Sequence, residues 1–126
     1  MKKYKNSLCL GKFMPLHMGH IHLVLTALEQ SETVHFMVCT RESEPINGLL
    51  RYGWAMQVFK KYPDIKVIHC TDDNPQYPEE HEDFWNIWYN SVYSRIDTLD
   101  AVFASEEYVF PFAEKLGVEP VLVDLD

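Results

Sequence analysis

Ser7-Leu8-Cys9-Leu10-Gly11-Lys12-Phe13-Met14-Pro15-Leu16-His17-Met18-Gly19-His20 runs from a short apolar segment, through a glycine, into the start of a helical pattern. Ser7 to Gly11 reads as a buried strand. From Met18 to Gln30 the apolar residues Ile21, Val24, Leu25 and Leu28 recur at helical spacing. A strand feeding a helix through one tight turn is half of a βαβ unit, and the same alternation continues along the chain. Val34–Cys39 is predicted as a second strand, and a polar loop follows over Thr40–Asn47. A helix is predicted over Leu49–Tyr62, with Leu50, Trp54 and Val58 facing inward, and Pro63-Asp64 stops it. Ile65–Cys70 is the third strand. Thr71–Asp83, rich in acids and carrying two prolines, is a long loop of the kind that often serves function. A helix over Phe84–Ile96, a strand over Ala101–Ala104, a helix over Glu106–Leu116 closed by Gly117, and a strand over Pro120–Val123 complete the pattern. This alternation predicts an α/β fold: a Rossmann-like, doubly wound parallel sheet of about five strands with helices on both faces. Ligands then bind beyond the carboxyl ends of the strands, which directs attention to loops 11–18, 40–48, 71–83 and 104–107.

A length of 126 residues, 47% hydrophobic and 24% charged, fits one domain over residues 1–126 and excludes a disordered chain. No apolar run is long enough to span a membrane, and no signal peptide follows the basic Met1–Asn6. Cys9, Cys39 and Cys70 lie in separate apolar strands without CxxC spacing, as small buried hydrophobes do in a reducing cytoplasm. The net charge of −8 is divided unevenly: residues 1–62 are net basic and residues 63–126 strongly acidic. Without a concentrated basic face, nucleic acid is not an expected partner. An anionic small molecule held by the N-terminal half is.

The turn at 11–20 carries the chemistry. Gly11 lets the backbone leave the strand tightly, and Gly19 lets the chain approach a ligand closely. A helix start offers unpaired N–H groups and the positive end of a dipole, which together bind anions. His17 and His20 flank that start and can both address one phosphate, with the positive charge of Lys12 nearby. At about 2% His and about 7% Gly, an HxGH string arises by chance in well under one in a hundred chains of this length. A zinc site is the rival use of paired histidines. However, His22, His35 and His69 fall on predicted helix or strand without forming a ligand set, so no resident metal is expected.

GKFMPLHMGHI at 11–21 resembles the HxGH nucleotidyltransferase superfamily. Within it, the chain is most similar to the nicotinamide-nucleotide adenylyltransferase domain of the NAD-salvage proteins in which that domain is often fused to a ribosylnicotinamide kinase. The Arg51 region, Trp85-Asn86-Ile87-Trp88-Tyr89-Asn90, Ser105-Glu106-Glu107 and Leu116–Asp124 match in the same order and cover nearly the whole chain. The resemblance implies transfer of the adenylyl group of ATP to nicotinamide mononucleotide (NMN), giving NAD and pyrophosphate without a covalent enzyme intermediate. Mg²⁺ would accompany ATP, and catalysis would rest on positioning and neutralisation of phosphate charge.

Carried over residue by residue, the resemblance gives His17, His20 and Lys12 the catalytic phosphate contacts. Gly11, Lys12, Phe13, His17, Gly19, His20, Ser105 and Glu106 would bind ATP, and Arg51, Trp85, Trp88 and Asn90 the mononucleotide. Four of these residues have a plainer reading: core packing for the two tryptophans, a solvated helix position for Arg51, and an N-cap for Ser105. The family pattern continues past the last strand into an Ile-Ser-x-x-x-Ile-Arg type of segment at a helix start. This sequence stops at Val123-Asp124-Leu125-Asp126, so a single domain without that phosphate-binding segment is expected. Two alternatives remain open. One is a nucleotidyltransferase using another phosphate acceptor, such as phosphopantetheine or glycerol phosphate; the other is a non-catalytic nucleotide-binding or regulatory module. The cytoplasm and, compatibly, a homo-oligomer complete the expectation.

Overall fold

A computed structural model describes residues 2–11 and 18–124. The elements are β1 (Tyr4–Gly11), α1 (Met18–Gln30), β2 (Ser31–Cys39), α2 (Gly48–Val58), β3 (Ile65–Cys70), α3 (Phe84–Tyr93), β4 (Ala101–Ala104), α4 (Val109–Leu116) and β5 (Glu119–Leu122). A single 3₁₀ turn, Pro78–Glu80, interrupts the long loop before α3. The five strands form one sheet in the order β3-β2-β1-β4-β5, and every pair is parallel. The predicted doubly wound α/β sheet is therefore the observed one. No helix among the described residues is long and apolar enough to cross a membrane.

Side-chain alternation on the strands builds two cores. Cys9, Phe36, Val38 and Phe103 point to one face, where they meet Leu23, Val24 and Ala27 of α1 and Ala55 of α2. Their neighbours Leu8, Met37 and Val102 point to the other face, against Val92 of α3 and Phe112, Ala113 and Leu116 of α4. Strands buried on both faces must be apolar throughout, which is why these segments read as unbroken hydrophobic runs.

Three expectations need correction. The inward stripe of α2 is Arg51, Ala55 and, as expected, Val58, whereas Leu50 and Trp54 are 49% and 36% exposed. Asn47 caps the helix by accepting from the amides of Leu49 and Leu50, and the Arg51 guanidinium is drawn inward by Glu44 and the Ile46 carbonyl. Hydrophobicity alone could not reveal an arginine satisfied in the interior, and the helix is rotated by one residue as a result. Second, α4 begins at Val109 rather than Glu106, so Ser105 is not its N-cap. Pro111 explains the shift. In a helix from Glu106 its missing N–H would fall in the interior, but in a helix from Val109 it falls in the first turn, where no intrahelical donor is required. Third, α2 and α3 end at Val58 and Tyr93, and β1 and β2 begin at Tyr4 and Ser31, which pair with each other. Gly117 closes α4 as expected, in the left-handed region (φ 75°) that glycine adopts without strain.

Candidate functional site

The strand order reverses between β1 and β4, and the chain leaves these strands toward opposite faces of the sheet. A cavity of about 430 Å³ opens at their carboxyl ends. Leu10 of β1 and Cys39 of β2 contribute to its lining, Phe84, Trp85 and Trp88 of α3 form one wall, and Tyr108 and Phe112 form another. Gln76, Tyr77 and Pro78 reach in from the long loop, and Glu106 is the single charged side chain among the described lining residues. A crevice at a topological switch point is where open α/β sheets bind ligands. Its aromatic lining suits a flat ring, and a lone carboxylate in such a lining favours a cationic one.

The rings hold one another in place. Phe84 meets Trp85 edge-on at 4.8 Å, Trp85 lies 6.3 Å from Phe112, and Trp88 lies 6.4 Å from Phe84. The Trp88 indole N–H donates to the Pro75 carbonyl at 3.0 Å, which fixes the ring and ties α3 to the loop. Both tryptophans also pack on the second core, so core packing and exposure to the cavity coexist in the same side chains.

Helix α1 starts at the same end of the sheet as this cavity, because it follows β1 directly. Gly19 and the half-buried His20 lie in its first turn, and Gly11 ends β1. Lys12, Phe13 and His17 lie outside the described residues. The first turn of α1 thus stands at the ligand-binding end of the sheet, where a helix start favours an anion.

Beyond β2 the site is bounded by a second polar group of residues. Thr40 Oγ1 and His69 Nε2 lie 2.6 Å apart, and Tyr52 stacks on the His69 ring at 5.1 Å. Burial, with the positive Arg51 nearby, keeps the His69 pKa below its ordinary value. Arg41 Nε donates to Asp73 at 2.6 Å and joins the 40–48 loop to the 71–83 loop. A methyl group at Gly48 would come within 2.6 Å of Thr40 Oγ1, the atom engaged by His69. Gly48→Ala is accordingly expected to displace Thr40 and cost about 1–3 kcal/mol. An unchanged melting temperature would show that the loop yields without cost.

The structure brings Trp85, Trp88 and Glu106 into one cavity, with Ser105 exposed on the turn beside it. It does not bring Asn90 or Arg51 there. Asn90 is exposed on α3, and its carbonyl accepts the Ser94 amide. Arg51 is fully buried rather than solvated, paired with Glu44 at 2.7 Å. The cysteines are buried and free, as expected. Burial pushes the Cys9 thiol up, while the thiol of Cys39, its partner in the strand register, is the main influence bringing Cys70 down to about 7. Sequence reasoning missed Tyr108 and Phe112, whose i, i+4 spacing at a helix start was a usable signal, and Gln76, for which no local signal exists.

No family model matches the chain. Over 131 aligned residues, however, it is 32% identical to the trifunctional NAD biosynthesis/regulator protein NadR of Escherichia coli, an alignment covering 90% of the chain. The chain is homologous to a part of NadR. It spans 31% of that protein's length. Among solved structures, a bifunctional NMN adenylyltransferase/ADP ribose pyrophosphatase from Francisella tularensis, complexed with AMP and a Mn ion, superposes with a TM-score of 0.71 at 19% identity. That match covers 96% of this chain and 37% of the other. A NadR protein in complex with NAD and AMP-PNP superposes with a TM-score of 0.69 at 18% identity, covering 98% of this chain and 39% of the other. The fold of this chain is thus that of these neighbours.

Proposed function

We propose that the chain transfers the adenylyl group of ATP to NMN, forming NAD and pyrophosphate. The observation that carries this reading is the aromatic cavity at the switch point, at the same end of the sheet as the helix start bearing Gly19 and His20, in a chain homologous to a part of NadR. The cavity supplies aromatic faces for the cationic nicotinamide ring. The helix start offers donors for the triphosphate of ATP. In the reaction, a phosphate oxygen of the mononucleotide forms a bond to the α-phosphorus of ATP. The bond from that phosphorus to the bridging oxygen of pyrophosphate breaks, and pyrophosphate leaves with the electron pair.

His20, with His17 and Lys12, is assigned to the phosphates, where charge accumulates on the leaving group. Ser105 and Glu106 are assigned to the adenosine side, Trp85 and Trp88 to the nicotinamide ring. A divalent cation, Mg²⁺ in our reading, comes with ATP, since Mg²⁺ characteristically takes its ligands from substrate phosphates. Buried free thiols fit a reducing compartment, and we place the protein in the cytoplasm.

The direct test is NAD formation from ATP and NMN by the purified chain. The site assignment is tested by Trp88→Ala, which is expected to weaken NMN binding roughly ten- to thirtyfold while leaving ATP binding within about twofold. Trp88→Phe should recover part of the loss, because a smaller ring still offers a face. A fall in melting temperature with no selective loss of NMN would overturn the assignment and leave Trp88 a packing residue.

A further inference from the structure

Three side chains on one face of α3 and its end turn toward the acidic loop: Trp88, Ser91 and Arg95, at i, i+3 and i+7. Arg95 meets the Asp72 carboxylate with two prongs, at 2.9 and 2.8 Å, and also donates to the Ser91 carbonyl at 2.9 Å. The Ser91 hydroxyl donates to Asp72 Oδ2 at 2.8 Å and accepts from the buried Asn74 amide at 2.8 Å. The Asn74 carbonyl in turn accepts from the Gln76 side chain at 2.9 Å, and the next carbonyl, that of Pro75, accepts the Trp88 indole. Continuous hydrogen bonding therefore runs from Arg95, outside the cavity, to Gln76 and Trp88, which line it.

We infer that Arg95, Asp72 and Ser91 are positioning residues that hold the 72–76 segment and Trp88 in the geometry that receives the flat ring. The inference rests on the function proposed above and deepens it. The Arg95–Asp72 pair is partly exposed, and such a pair contributes little to global stability. A bidentate arginine–carboxylate contact does, however, impose direction, because its two parallel bonds admit one relative orientation. Donation from Arg95 is the main cause of the lowered Asp72 pKa, so the carboxylate remains charged in this pairing. The loop backbone has few other anchors here. Arg41 holds Asp73 from the 40–48 loop, while Asn74 N donates to the Asp72 carbonyl and the amides of Gln76 and Tyr77 donate to Glu80 within the loop itself. The attachment to α3 thus runs chiefly through Asp72, Asn74 and Pro75.

Arg95→Gln tests this, with two readouts on the full chain. One is calorimetric binding of NMN and, separately, of ATP. The other is hydrogen exchange of the Trp88 indole N–H, followed by NMR in the ligand-free protein. NMN binding is expected to weaken on the order of tenfold, since a sub-ångström loosening of a binding wall has costs of this size, with ATP affinity kept within about twofold. Indole exchange should accelerate by a similar factor. Arg95→Lys, which keeps the charge but loses the fork, should recover part of both effects. Ser91→Ala provides a gentler second variant, with the same direction expected, should Arg95→Gln fold poorly. Unchanged exchange and unchanged NMN affinity would overturn the inference. So would an equal loss of NMN and ATP binding accompanied by a lower melting temperature, the signature of general destabilisation. If the unmodified chain binds no NMN while indole exchange still accelerates in the variants, the proposed function falls and the positioning of Trp88 by Arg95 stands.

Discussion

His20→Ala is expected to lower kcat roughly 10²–10³-fold while leaving the Kd for NMN within about twofold. The reasoning begins with the position of the residue. His20 lies in the first turn of α1, at the carboxyl end of β1, the end of the sheet where the aromatic cavity opens. Under the proposed function, a donor placed there is assigned to the phosphates of ATP and not to the nicotinamide ring. Negative charge grows on the departing pyrophosphate as the bond to the α-phosphorus breaks, so a donor facing it interacts more strongly in the transition state than in the ground state. Only that difference accelerates the chemistry. Loss of one such donor is worth about 2.7–4 kcal/mol, which corresponds to the stated factor. Steady-state kinetics with each substrate varied, paired with calorimetry for NMN, separates the two quantities. Near-normal turnover would sink the catalytic assignment, and an equal loss of affinity and rate would make His20 a simple binding residue.

The parts of this architecture that were readable in advance share a physical property: their signal is local. The helix over Met18–Gln30 and the strand over Ile65–Cys70 have the predicted bounds, since a 3.6-residue apolar period or a short buried run bounded by polar residues needs no partner to be recognised. Parallel pairing followed from the alternation of strand and helix. The turn at 11–20 stands out in the sequence because glycine and histidine at fixed offsets have few structural uses, though residues 12–17 lie outside the described ones. What escaped was non-local. Nothing adjacent to Arg51 in sequence announces that its partner will be Glu44 within a folded-back loop, or that Ile46 will offer its carbonyl. The acidic stretch 71–83 read as a solvated loop, yet Asp72 and Asn74 engage α3 across long sequence separations. The cavity's lining is assembled from five separate segments, and only the tryptophans and Glu106 carried a motif to mark them. One miss was avoidable. Pro111 placed the α4 start within a turn of itself, and its backbone requirement outweighs the capping chemistry of Ser105.

Arg51→Ala is expected to destabilise the folded chain by about 3–5 kcal/mol, lowering the melting temperature on the order of 10 °C or more. The Arg51 side chain is 0% exposed and its Glu44 partner 8%, with the two 2.7 Å apart. Removing the guanidinium leaves the Glu44 carboxylate in a poorly solvated site with the Arg41 amide as a remaining donor at 2.7 Å, and it also strands the Ile46 carbonyl. The cost is thus chiefly that of an uncompensated buried charge, rather than the net worth of the pair. This distinction is testable. Replacing both partners together, as Arg51→Met with Glu44→Leu, removes the charge along with its counterion and should recover much of the lost stability. If the double variant is no better than Arg51→Ala alone, the loss belongs to packing volume instead. The same experiment decides between the two roles open to this residue. A guanidinium reserved for the mononucleotide phosphate would leave stability within about 1 kcal/mol of the parent and raise the KM for NMN. A guanidinium spent on Glu44 does the reverse, because it acts on the ligand only by holding the 40–48 loop, which Arg41 then links to Asp73 on the neighbouring loop.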